Sequence, residues 1–175
     1  MDLFISYLTD ISGVLGAVLV ICAFILRNPR HIMAVSFLSG VLWVIHFGLI
    51  GAWAGVIVSV ASAVRNAAGA WMEQRAMVVF TWASAAFVVC FGLLVDSSGA
   101  VVLLAAPIRA VANHLRDREI PFRLVCSLSA ICYVAYGLMI GSPLWISSLV
   151  AFLVVVGTPV VRFLIPKIMA SSRPT

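Results

Sequence analysis

Long apolar stretches, separated by short breaks of glycine, proline or charged residues, run along almost the whole chain of 175 residues. They fall at about 11–26, 32–50, 52–71, 77–95, 98–114, 122–140 and 144–165. A membrane crossing takes about 20 residues, and a backbone in hydrocarbon must satisfy its own polar groups, which forces it into a helix. The pattern therefore predicts an all-α membrane protein with seven transmembrane helices. These leave no room for a soluble domain, so we predict a single transmembrane domain over 1–175.

Composition supports this assignment and excludes several other classes of protein. Of all residues 64% are hydrophobic and 10% are charged, and the mean hydropathy is +1.20. Soluble domains are about half apolar and about a quarter charged, so a water-soluble, disordered or nucleic-acid-binding protein is excluded. The four cysteines lie in apolar stretches without CxxC or zinc-finger spacing, and hydrolase, metalloprotease and phosphate-loop motifs are missing. We therefore expect no enzyme activity, no cofactor and no metal site.

The distribution of charge predicts how the helices are oriented. The amino-terminal tail and the second, fourth and sixth connections contain no lysine or arginine. All eleven basic residues lie in the other connections, the carboxyl-terminal tail or the adjoining ends of the spans: Arg27, Arg30, Arg65, Arg75, Arg109, Arg116, Arg118, Arg123, Arg162, Lys167 and Arg173. Basic connections remain cytoplasmic, so we predict an external amino terminus and a cytoplasmic carboxyl terminus. The net charge of +5 is then a topology signal, and the lipid bilayer is the expected partner.

An internal repeat relates the second and sixth spans at an offset of 90 residues. The matching pairs are Leu38 and Leu128, Ser39 and Ser129, Trp43 and Tyr133, His46 and Tyr136, and Gly51 and Gly141. Spans 1–3 (about 11–71) and 5–7 (about 98–165) are thus predicted to be two copies of one three-helix unit. Because three is odd, the linker helix at about 77–95 is needed to give both copies the same orientation. Transporters built from such parallel repeats bind their solutes between the halves.

At these residues the chain resembles a known superfamily. The stretch 43–51, WVIHFGLIG, and its copy 133–141, YVAYGLMIG, resemble the aromatic-x-x-aromatic-Gly signature of SWEET and PQ-loop transporters. Pro107-Ile108-Arg109, with Arg116 nine residues after Pro107, resembles the Pro-Gln turn and its following basic residue. The resemblance implies a SWEET-like arrangement of three, one and three helices. Where sugar-transporting relatives carry asparagine, this chain has Ser59 and Leu149, which points away from a sugar.

A nearer resemblance is to the YgjV-type family of bacterial inner-membrane proteins. It rests on the His46 segment, on Arg65 fourteen residues after Gly51, and on Arg162 twenty-one residues after Gly141. This resemblance covers nearly the whole chain. It implies a multi-pass protein of the bacterial inner membrane.

Candidate solute-binding residues lie on polar faces of the predicted helices. A polar stripe that faced lipid would cost free energy, so these faces should point at other helices or a water-filled cavity. The serines are as readily explained by helix packing, whereas His46 is equally suited to bind solute or to bond to a neighbouring helix. The aromatic residues recur in both copies and suit a small polar solute. The candidates are Trp43, His46, Ser59, Ser62, Arg65, Asn66, Tyr133 and Tyr136.

The arginines and prolines within the spans are open to two interpretations each. Arg65, Arg109 and Arg162 can extend to the cytoplasmic headgroups, or they can face a cavity, where they would favour an anionic solute. Pro107 and Pro159 are either hinges or simple kinks.

The sequence leaves two candidate functions for the protein. The first is a small-solute transporter that works by alternating access, and the second is a non-transporting scaffold or interaction protein with the same fold. The recurring aromatic face favours the transporter.

Overall fold

The protein is described by a computed structural model over residues 2–26, 29–69, 71–115, 118–142 and 144–159. All secondary structure in these ranges is helical. A single 3-10 turn covers Ser97–Gly99. The α-helices are α1 Asp2–Ile25, α2 Pro29–Leu49, α3 Trp53–Gly69, α4 Gln74–Val95, α5 Ala100–Leu103, α6 Ala105–His114, α7 Glu119–Met139 and α8 Leu144–Pro159. Because α5 and α6 are two parts of one interrupted helix, the all-α prediction is confirmed with seven helical segments.

Three helices in the described residues are long and apolar enough to cross a membrane. They cover Leu3–Ala23, His31–Leu49 and Arg75–Val95, and two shorter apolar helices cover Ala100–His114 and Leu124–Met139. Large apolar side chains such as Phe4, Phe87 and Leu94 are exposed on the outside of the bundle. In a bilayer these side chains would contact lipid tails. The described helices thus support a multi-pass membrane protein, and the count of seven spans stays a prediction.

The first helix begins earlier than the apolar pattern indicated. We expected a tail up to residue 10 and a span at 11–26, but α1 starts at Asp2. The expectation was wrong because it treated Asp10 as the boundary of the span. Leu3, Phe4 and Leu8 make the first turns apolar, and a single exposed carboxylate on the surface does not end a helix.

The fifth predicted span is interrupted near its middle. Helix α5 ends at Leu103 and α6 begins at Ala105, two residues before Pro107. The ring of a proline clashes with the carbonyl four residues earlier, which here belongs to Leu103. Val102 and Leu103 on one side of the break, and Ala105 and Ala106 on the other, are almost fully buried. The segments on both sides of the break are therefore packed against protein, whereas the Leu104 side chain at the break is exposed.

The packing order of the helices is the same in both halves of the chain. Helix α2 packs against both α1 and α3, and α7 packs against both α6 and α8. Helix α1 contacts α8, while α3 contacts α5 and α6, so these helices close into a ring in which α5 and α6 together occupy one place. Helix α4 lies outside this ring against α3 and α6. The apolar core lies on the inner faces of α2 to α7 and includes Phe47, Ala54, Val58, Val88, Val102, Leu103, Ala106, Ala110 and Tyr136.

Helices α2 and α7 end in the same turn. In the first, the amides of Gly51 and Ala52 donate to the carbonyls of Gly48 and Phe47. In the second, the amides of Gly141 and Ser142 donate to the carbonyls of Leu138 and Gly137. Both patterns are Schellman caps, which need a left-handed residue that glycine provides without steric cost. Gly51 and Gly141 have φ of 71° and 64°, so the sequence repeat at offset 90 recurs in backbone geometry.

Candidate functional site

Two glycines of α1 allow α2 to approach closely on the face that carries the candidate residues. A Cβ added to Gly13 would lie 2.9 Å from His46 Nδ1, and one added to Gly16 would lie 3.2 Å from the Trp43 ring. One turn further along, the Ser39 hydroxyl donates to the Gly16 carbonyl over 2.9 Å. Small residues at such an interface let two helix backbones pack together. Trp43 and His46 therefore rest on α1.

His46 is buried and makes hydrogen bonds with both of its ring nitrogens. Its Nδ1 lies 2.9 Å from the Thr9 carbonyl oxygen in α1, and its Nε2 lies 3.1 Å from the Ser142 hydroxyl at the start of the α7–α8 connection. A carbonyl oxygen only accepts, so Nδ1 carries the hydrogen in the neutral ring, and Nε2 then accepts from the Ser142 hydroxyl. His46 thus joins the first half of the chain to the second.

An aromatic cluster, defined here as Trp43, His46, Phe47 and Tyr136, continues this connection. Phe47 is fully buried and stacks on Trp43, with ring centroids 5.6 Å apart. It also meets the Tyr136 ring at 5.9 Å, and Trp43 meets His46 edge to face at 5.3 Å. Aromatic pairs at these separations attract beyond their simple burial. Aromatic side chains from both halves therefore meet in one cluster.

Tyr136 occupies the position in the second half that His46 occupies in the first. His46 contacts Thr9, and the residue 90 positions after Thr9 is Gly99. A Cβ added to Gly99 would lie 3.5 Å from the Tyr136 ring. The Tyr136 hydroxyl is buried and lies close to the Gly55 backbone. The sequence repeat is thus also present in the tertiary contacts of these two residues.

A second group, the arginine cluster, comprises Ser62, Arg65, Arg109, Cys126 and Tyr133. Arg65 Nη2 donates to the Ser62 hydroxyl over 2.8 Å, and Arg109 Nη1 approaches Cys126 Sγ at 3.5 Å. The Arg65 guanidinium also interacts electrostatically with Arg109, Tyr133 and Cys126. Side chains of α3, α6 and α7 therefore converge here. Arg65 is buried within the bundle and does not extend outward.

The remaining sequence candidates lie near these clusters or outside the described residues. Ser59 is buried on α3, and Asn66 is half-buried one residue after Arg65. Pro107 lies in the first turn of α6, beside the helix break. Pro159 is the last residue of α8, and Arg162 lies outside the described residues. Pro107 therefore lies beside a helix break, the described part of α8 stops at Pro159, and hinge motion at either proline stays a prediction.

Several residues that complete the site were not found from the sequence. Phe47 looked like one more apolar residue, and Thr9 and Ser142 lay in segments taken as a tail and a loop. A usable signal existed for Ser142, because it follows the repeated glycine and matches Ala52 in the first copy. An extra hydroxyl at a repeated cap is a candidate for a specific contact.

The chemistry available at the site is hydrogen bonding, aromatic stacking and positive charge. Within the ranges that the structure describes, no three histidine, cysteine or acidic side chains come together to hold a metal ion. The aromatic cluster supplies flat surfaces, and the arginine cluster supplies hydroxyls and two guanidinium groups. Such groups bind small molecules without requiring covalent chemistry.

Comparison with known proteins gives one match. The family profile Imp-YgjV, described as a bacterial inner membrane protein, matches residues 7–165. Neither curated proteins nor solved structures match the chain.

Proposed function

The chain belongs to the Imp-YgjV family of bacterial inner membrane proteins, and on that premise we propose that it carries a small polar or anionic solute across the membrane. In this proposal it is a facilitator and not an enzyme. Seven spans form two parallel three-helix repeats joined by the linker helix α4, in a SWEET-like arrangement. The ring of helices supports this view, because the contact of α1 with α8 has its counterpart in the contact of α3 with α5 and α6.

The observation that carries the proposal is the polar and aromatic seam between the two halves. The hydrogen bond from Ser142 to His46 and the ring contact between Phe47 and Tyr136 are among the contacts that cross it. A hydrogen bond between side chains in a membrane protein contributes about 0.6–2 kcal/mol. Because these contacts join side chains and not backbone groups, the seam can open without breaking the helices on either side, as alternating access requires.

In this proposal one end of the bundle is closed. The caps at Gly51 and Gly141 and the start of α5 lie at one end, where the Ala54 amide contacts Asp96 Oδ2 at 3.4 Å. Under the proposed orientation this is the external end. The proposed transport cycle would separate His46 from Ser142 there and expose the aromatic cluster to solute.

The roles of His46 and Tyr136 in the proposed transport can be tested in proteoliposomes that contain the purified protein. The solutes are a panel of labelled sugars, organic acids and inorganic phosphate. We expect the protein to accelerate uptake of at least one compound. His46→Ala and Tyr136→Ala should abolish that uptake at unchanged protein abundance, because each removes a group that lines the seam. Matched controls are His31→Ala and Tyr7→Ala, since both of these side chains are exposed. Full activity of the seam variants would contradict this site, and inactivity of the protein on the whole panel would favour the scaffold function.

The proposed orientation predicts the behaviour of reporter fusions. A reporter enzyme that is active only outside the cytoplasm should stay inactive when fused after residue 175, because the basic residues hold that end inside. The same reporter fused after Ser97, in a connection without basic residues, should be active. An active carboxyl-terminal fusion with an inactive Ser97 fusion would reverse the orientation.

A further inference from the structure

Arg65 is a buried cation with incomplete hydrogen bonding. Its side chain is 5% exposed, and Nη2 donates to the Ser62 hydroxyl. Its Nη1 is buried and has no hydrogen-bond partner among the described residues. A charged group inside a protein is costly unless it is paired and fully hydrogen-bonded. Arg65 therefore has an unused donor in a place where donors are normally satisfied.

The charge of Arg109 makes the situation worse for Arg65, because it is also positive. Arg65 and Arg109 interact electrostatically with each other, and neither is in contact with a carboxylate in the described part of the chain. Asp96 lies beside Ala54 at the other end of α3, about 16 Å away along the helix. Two cations side by side in a medium of low dielectric constant require a counter-charge.

The groups around the two arginines define what that counter-charge would be. Guanidinium groups bind carboxylates and phosphates through paired N–H donors. The Ser62 and Tyr133 hydroxyls lie in the same cluster, and Tyr133 interacts with both arginines and with Ser62. A halide would satisfy the charge but would use only part of this donor set. An oxyanion has several acceptor oxygens and matches it better.

We propose that Arg65 and Arg109, with the hydroxyls of Ser62 and Tyr133, form a binding site for the carboxylate or phosphate group of a small molecule. The binding of this anion does not depend on the proposed function. Its identity with the transported solute does rest on that function. The anionic group could come from a free solute or from the headgroup of an acidic lipid. The site lies where α3 of the first half meets α6 and α7 of the second, so the anion would neutralise charge contributed by both halves.

The test measures binding to the purified full-length protein in nanodiscs of phosphatidylcholine. The probes are sodium phosphate and sodium benzoate, each titrated at constant ionic strength against sodium chloride and followed by calorimetry and thermal unfolding. We expect saturable binding of at least one probe, weakened about tenfold or more by Arg65→Gln and by Arg109→Gln. Arg65→Lys should weaken it by a smaller factor, since it keeps the charge but not the paired donors. Arg75→Gln is the matched control, because Arg75 is exposed at the start of α4.

A second arm separates the two sources of the anion. The protein and its Arg65→Gln variant are compared in nanodiscs that contain phosphatidylglycerol. If these nanodiscs stabilise only the unaltered protein, and the soluble probes give no further stabilisation, then the bound group is a lipid phosphate. The proposal is overturned if neither the probes nor the acidic lipid binds, or if both glutamine variants bind as tightly as the unaltered protein. Should Arg65→Gln fail to fold, Arg109→Gln and Arg65→Lys decide the question by the same criteria.

The same experiment distinguishes this inference from the transport proposal. Anion binding that depends on Arg65, in a protein that transports nothing, would overturn transport alone. Uptake of a neutral solute by a protein that binds no anion would overturn the anion site alone.

Discussion

Replacing Gly99 by valine should prevent stable assembly of the helix bundle. A Cβ at this position would overlap the Ala54 Cβ, which is held rigidly by the backbone of α3. Gly99 has φ of −86° and ψ of 13°, a conformation open to other residues, so the effect is one of packing. Overpacking a tight core costs about 1–3 kcal/mol, and we expect the upper end of that range or more because Ala54 is fully buried.

The measurement is the free energy of unfolding in mixed micelles, or the midpoint of thermal unfolding where unfolding is irreversible. Gly48→Ala is the control, because a Cβ at Gly48 meets nothing within 4 Å. Alanine replaces glycine within a helix there and should stabilise the protein by about 0.5–1 kcal/mol. Equal stability of Gly99→Val and the unaltered protein would contradict the close packing of the 3-10 turn on α3.

An increase in stability is expected when Arg65 is replaced. In buffer free of oxyanions and acidic lipids, Arg65→Met should raise the free energy of unfolding. Methionine is also unbranched and occupies the same position along the aliphatic stem, and it removes a buried cation that Arg109 repels. Replacing buried ionic groups by apolar residues of similar volume is often stabilising by about 1–4 kcal/mol. The loss of the hydrogen bond to Ser62 offsets part of this gain, since such bonds contribute about 1 kcal/mol.

Arg75→Met serves as the matched control for this prediction. Arg75 is exposed, so its replacement should change the free energy of unfolding by no more than about 0.5 kcal/mol. A clear loss of stability in Arg65→Met would mean that the guanidinium holds the helices together. The arginine cluster would then be a structural feature and not a site kept unpaired for a ligand.

The helices were predictable because the membrane imposes one simple rule on the sequence. Apolar stretches and the glycines between them located α2 and α4 to within a few residues. Helix boundaries were less predictable, since they depend on the surroundings of each residue. Asp10 did not end α1, and the break at Leu104 could be inferred only in general terms from Pro107.

The candidate site was predictable where it repeats and unpredictable where it does not. The pairing of His46 with Tyr136 followed from the offset of 90, and both proved to be buried at corresponding contacts. The Ser142 hydroxyl and the Phe47 ring have no such counterpart in the other copy, where Ala52 and Gly137 occupy the positions. Only three-dimensional packing reveals contacts of that kind.

The arginines illustrate a different limit of sequence analysis. The position of Arg65 along α3 is compatible with two directions of its side chain. It could extend to the lipid headgroups, or it could point into the bundle. The choice depends on which face of α3 meets α6 and α7, and helical spacing does not determine that. The structure buries Arg65, which turns two open interpretations into one testable site.

The bond between His46 and Ser142 has a consequence for biosynthesis. The two residues are 96 positions apart, and a ribosome adds about 5–20 residues per second. His46 is therefore synthesised about 5–20 s before Ser142. During that interval the Nδ1 contact to Thr9 can already form, while Nε2 has to be satisfied by water or by the insertion machinery. The first half must thus persist as an incomplete three-helix unit until the last cap of the second half arrives and closes the ring.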